Sequence, residues 1–137
     1  MADTIRSVDY FYVTVPDKPG EGARVLGALR DAGVNLRVYS GFPAGRRSQL
    51  DFVPADPAAF RAVAKGLKLK VAGPKRAFLI EGEDRVGAVA DILGKLAGAR
   101  INVTAMDAVC AGGGRWGAIL WVAPKDVKKA AALLGAV

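Results

Sequence analysis

The sequence contains no histidine. It therefore offers no imidazole base, no histidine metal ligand, and no serine–histidine or cysteine–histidine pair for covalent chemistry. Its single cysteine, Cys110, excludes an internal disulfide and a thiolate-built zinc site. No metal and no cofactor are expected. Long apolar runs are missing too: nothing approaches the roughly 18 residues needed to cross a bilayer, and MADTIRSVDY lacks the apolar segment of a secretory leader. The expectation is a cytoplasmic protein with no membrane role.

What is present suits a folded core: 137 residues, 52% of them apolar, and a mean hydropathy of +0.23. Twenty lysines and arginines oppose thirteen acids, a net charge of +7. Arg46-Arg47, Lys68, Lys70, Lys75-Arg76 and Lys128-Lys129 are spread along the chain among acids, which reads as solvated surface rather than one binding face.

The chain repeats itself. Shifting it by about 67 residues lays YFYVTVPDKPGEGARVLGALRDAGVNL over AFLIEGEDRVGAVADILGKLAGARINV. Phe11 then matches Phe78, Asp17 Asp84, Gly20 Gly87, Leu29 Leu96 and Asn35 Asn102, and further on Leu50 falls on Ile119 and Phe52 on Trp121. This is a tandem duplication, divided into modules 1–72 and 73–137.

Each copy carries the same elements. Residues 9–15 alternate, with Phe11, Val13 and Val15 on one face, as a strand requires. From Pro19 to Ala32 an apolar stripe of Ala23, Leu26, Leu29 and Ala32 beside Val25 predicts a helix, with Asp17 as N-cap and Gly33 just past its end. Residues 34–40 and 48–53 form a hairpin through GFPAGRR, 56–66 a second helix, and LKLKV at 67–71 a short strand with its lysines in water. The second copy follows, with strands at 76–81, 101–108 and 115–122 and helices at 84–97 and 124–134, until only GAV remains where the last strand should be. The fold class is α+β: two ferredoxin-like βαββαβ modules, antiparallel sheets side by side with helices on one face. The final strand of the second module is short or missing, leaving an open edge or one that another chain covers.

With D-x-P-G at Asp17, Pro19 and Gly20 and G-V-N-L at Gly33–Leu36, the chain resembles the ACT domain, a small ligand-binding module of amino-acid metabolism and its regulation. The second copy keeps Asp84, Gly87 and Asn102 but has Val86 and Arg100 in place of the proline and glycine. The resemblance implies a regulatory protein without catalysis of its own. It implies a free amino acid or similar effector bound between the first loop of one unit and the second strand of its neighbour. The matching positions are Asp17, Gly20 and Asn35, and Asp84, Gly87 and Asn102.

The chemistry fits. Backbone N–H groups near Gly20 or Gly87 at a helix start suit a carboxylate, an aspartate suits an ammonium, and asparagine offers both donors and acceptors. The same aspartates serve equally well as helix caps, and the asparagines as partners of their own backbone. A tandem with no catalytic unit must act through a regulated enzyme partner or its own assembly, so a homodimer or higher homo-oligomer is expected.

The alternative is a basic RNA-binding protein, since RNA-recognition modules share this element order. RWGAILWV at 115–122 echoes their aromatic strand, but Phe78 is the lone aromatic in the first strand of that copy, and Phe52 and Trp121 read as core. Nucleic acid is therefore the second reading. An enzyme would have to rest on Asp17, Arg24 or Cys110, and Cys110, with no base in sight, reads as a semi-buried filler.

Overall fold

The computed structural model describes residues 3–137. Its elements are β1 (Thr4–Pro16), α1 (Glu21–Asp31), β2 (Leu36–Ala44), β3 (Arg47–Pro54), α2 (Pro57–Gly66), β4 (Ala72–Glu83), α3 (Ala88–Gly98), β5 (Val103–Gly112), β6 (Arg115–Val122), a 3-10 turn (Pro124–Asp126) and α4 (Val127–Leu134). None of the described helices is long and apolar enough to cross a membrane.

Two compact units result. One is Asp9–Lys75; the other joins the residues up to Val8 with Arg76–Val137. The sequence division at 72/73 misses this arrangement because β1 and β4 each serve both units. In the first unit the strand order is β2-β3-β1-β4, the fourth strand being Ala72–Lys75. In the second it is β1-β4-β6-β5, and Thr4–Val8 stands where the repeat lacks a strand of its own. Each unit is therefore a complete four-stranded antiparallel ferredoxin-like sheet with two helices. The expected open edge is filled by the chain's own N-terminal residues. Its C-terminus closes onto them, Ser7 N–H donating to the Val137 carbonyl and Val137 N–H to that of Ile5, both at 3.0 Å.

The alternation in β1 buries Phe11, Val13 and Val15 in the first core, where Phe60 stacks on Phe11 and Phe52 at 5.3 and 5.0 Å between ring centres. The second core is mainly aliphatic around Phe78, with Ile5, Ile80, Ile92, Leu96 and Leu120. Phe11 faces Phe52 across its strand pair as Phe78 faces Leu120. Phe52 thus corresponds to Leu120, not Trp121, correcting the sequence alignment by one residue. Both Phe52 and Trp121 are buried, as expected.

In α1 the buried positions are Val25 and Leu29, four residues apart, while Ala23 and Ala32 are exposed. The true stripe follows a step of four rather than three. Residues 67–71 are not a strand: α2 ends there in a left-handed turn at Lys68, φ 57°, whose lysines do face water.

Helix ends repeat closely. After α1, α2 and α3 a left-handed residue (Gly33, Lys68 or Arg100) lets the next N–H reach back five residues: Val34 to Leu29, Leu69 to Ala64 and Ile101 to Leu96, each at 2.9 Å. Gly33 fits the sequence expectation. Lys68 and Arg100 hold the same conformation with a side chain, at a cost of about 1–2 kcal/mol each.

Candidate functional site

Aspartates 17 and 84 do not cap their helices. The residue before α1 is Gly20, at φ 93°, and the one before α3 is Gly87, at φ 83°; neither helix has a side-chain cap. These left-handed angles favour glycine, which explains its return three residues after each aspartate. By contrast α2 is capped by Asp56, whose Oδ1 accepts from Ala59 N–H at 3.2 Å. The Glu21 and Ala88 N–H groups donate weakly to the Lys18 and Arg85 carbonyls, both at 3.4 Å, and the next N–H groups of α1 and α3 have no side-chain cap among the described residues.

Each uncapped start borders a groove, and the two grooves occupy equivalent places between the first loop and the following hairpin of their module. The first, about 310 Å³, is lined by Asp17, Lys18, Glu21, Tyr39, Phe42 and Ser48 among others. The second, about 270 Å³, includes Asp84, Arg85, Gly87, Val109, Cys110 and Trp116. Asp17 accepts from the Ser48 hydroxyl at 2.8 Å, tying loop to hairpin. Asp84 makes the same kind of tie, its N–H donating to the Gly114 carbonyl at 2.8 Å. Its carboxylate accepts from the Cys110 thiol and, with desolvation, pushes that thiol above its ordinary value. Cys110 is exposed, against the expectation of a filler, and is disfavoured as a thiolate.

Asn35 and Asn102 do not join these grooves. Both are exposed at the opposite ends of β2 and β5, about 13 Å or more along the strand from the groove-lining residues of the same module. The Asn35 carbonyl accepts from Ala55 N–H at 2.9 Å. Tyr39, Phe42, Ser48, Arg85 and Trp116 were not foreseen, because they come from elements that only folding brings together.

The grooves differ in one further respect. In the second, the Asp3 carboxylate takes two bonds from the Arg85 guanidinium, both 2.9 Å, and one from Trp116 Nε1 at 3.2 Å. Only 8% of the Asp3 side chain is exposed. The Arg85 bonds hold Asp3 below its ordinary value against the desolvation that raises it, with Trp116 assisting. Trp116 and Gly82 face each other across β6 and β4 where the first module has Ser48 and Val15. A Cβ at Gly82 would collide with Asp3 and lie 2.7 Å from Trp116 Nε1, so the clamp needs that glycine. Lys18, the equivalent of Arg85, has no ion-pair partner among the described residues. Nor do the described residues include a group of three or more Cys, Asp or Glu arranged to hold a metal.

No curated protein sequence matches the chain. Among solved structures, a protein of Bacteroides thetaiotaomicron aligns with a TM-score of 0.83 at 17% identity, over 96% of this chain and 88% of its own. The ligand-free regulatory subunit of aspartate kinase from Thermus thermophilus aligns at 0.68 and 15% identity, covering 98% and 95%. A structure of the aspartokinase alpha and beta subunits gives 0.67 and 20%, also covering 98% and 95%. At these identities the likeness is one of fold. A family model adds sequence: the ACT domain model matches residues 77–137, most of the second module.

Proposed function

We propose that the protein is a regulatory module that binds a free amino acid or a similar small effector and has no catalysis of its own. The ACT-domain match and the regulatory neighbours support the small-molecule-binding regulatory role. The observation that carries the reading further is the pairing, in both modules, of an uncapped helix N-terminus with an aspartate at the edge of one groove. The helix N–H groups suit an α-carboxylate and the aspartate an α-ammonium.

The ligand residues are then Asp17 and Gly20 in the first module and Asp84 and Gly87 in the second. Asn35 and Asn102 enter only from a neighbouring copy, since each lies far from the groove of its own module. Homo-oligomerisation through edge strand β2, with Tyr39 and Phe42 exposed on it, would bring in Asn35, and through edge strand β5 it would bring in Asn102. The first groove is the principal site: Lys18 is unpartnered there, whereas Arg85 already holds the carboxylate of Asp3. A cytoplasmic enzyme partner would read the bound state.

A thermal-shift panel of the twenty amino acids at about 10 mM tests this. A ligand at 100 times its Kd stabilises by about 2.7 kcal/mol, a shift of several degrees. The expected result is a shift by one amino acid or a chemically related few, abolished by Asp17→Ala. No shift with any of them overturns the reading.

A further inference from the structure

A second groove in the first module, about 530 Å³, is lined by four cationic residues, Arg61, Lys65, Lys68 and Lys70, with Leu69 and Val71. No acidic residue lines it. Arg61 and Lys65 stand one helical turn apart on α2, and the left-handed turn at Lys68 brings the following chain back beside them. The sequence scattered these charges; the fold gathers them.

None of the four makes an ion pair among the described residues. Nor do the last carbonyls of α2 account for them. Val63, Ala64 and Lys65 carbonyls already accept from Leu67, Leu69 and Lys68 N–H at 3.0, 2.9 and 3.0 Å. Like charges one turn apart on a helix are mildly destabilising, and here no acid relieves them.

We propose that this groove binds the phosphate chain of a small polyphosphate, as carried by a nucleoside triphosphate or inorganic triphosphate. Several cations around an open groove match several linked anionic groups, and the volume is that of a small-molecule site. The occupant is not a nucleic acid strand, which also needs stacking platforms. No aromatic residue lines the groove, and the Phe11 ring beneath the Arg61 guanidinium, 5.1 Å from ring centre to charge, is fully buried. Recognition is therefore of phosphates, not of a base.

Calorimetry on the full chain at about 50 mM salt, a concentration that screens weakly, tests this with inorganic triphosphate, ATP and a ten-nucleotide single-stranded RNA. Triphosphate and ATP should bind with affinities within about threefold of each other, and the RNA no more tightly. Lys65→Ala/Lys70→Ala should weaken triphosphate roughly tenfold or more, whereas Lys125→Ala/Lys128→Ala, equal in charge but elsewhere, should change it by less than about twofold. Lys68→Gly keeps the left-handed turn and removes the amine, so it should weaken binding without lowering the melting temperature. Absence of triphosphate binding overturns the proposal, as does equal loss in the Lys125/Lys128 control, which would mean a diffuse field. Much tighter RNA binding would replace it with a nucleic-acid surface.

Discussion

The two modules carry the same loop and the same uncapped helix start, yet one loop cation is free and its counterpart is taken. Lys18 in the first groove has no ion-pair partner among the described residues, while Arg85 in the second is held by Asp3 with Trp116 as a further donor. A small set of substitutions separates them: Val15 becomes Gly82, Ser48 becomes Trp116, and Lys18 becomes Arg85. The glycine makes room, the indole donates, and the guanidinium forks onto a carboxylate as an ammonium cannot. Duplication thus left Lys18 without an ion-pair partner among the described residues and made Arg85 an anchor of the N-terminal strand.

That difference can be broken from either side. Removing residues 1–8 takes the fourth strand from the second module alone. Ile5, buried in that core, is by itself worth about 2–5 kcal/mol on truncation to alanine. Hydrogen exchange should show β6 losing protection by several kcal/mol while β3 retains its own. Phe60→Ala should do the reverse, costing about 3–5 kcal/mol in the aromatic core of the first module, read by denaturant unfolding.

Smaller changes sharpen the comparison at the helix ends. Gly20→Ala and Gly87→Ala should each cost about 1–2 kcal/mol, because both positions are left-handed. At the opposite ends of those helices the modules differ, Gly33 against Arg100. Arg100→Gly should stabilise by less than about 1 kcal/mol, relief of strain being partly offset by a freer unfolded chain. Equal melting temperatures for Gly20→Ala and the parent would contradict the conformational account.

The smallest effect concerns acid. Because Asp3 titrates below its ordinary value of 3.8 in the fold, its contribution is complete above that value and is lost as pH falls through the lower, folded one. Asp3→Asn should therefore lower the melting temperature at pH 7 and flatten its fall below about pH 4. An unchanged acid profile would mean that the clamp contributes nothing.

Much of this was legible in the residues. Alternation marked the face of Phe11, Val13 and Val15, and the repeat revealed both modules. The N-terminal strand was not legible, because what makes Thr4–Val8 a strand is a partner some seventy residues away, not its own pattern. Asp17 looked like a cap because its chemistry suits one; only the φ of Gly20 shows that the helix begins later. Asn35 and Asn102 fell in register with the aspartates, but sequence register does not reveal that they stand at opposite ends of a module. The cations of the α2 groove looked scattered because a left-handed lysine, which no propensity favours, folds the chain back.

The most direct test of the account follows the backbone amides of the isotopically labelled chain by NMR as each amino acid is added. The account predicts that one ligand, or a related few, moves Asp17 to Gly22 first and most strongly, with Asp84 to Ala88 responding weakly until Asp3 is replaced by alanine. Binding that leaves both loops unmoved, or moves the second before the first, would contradict it.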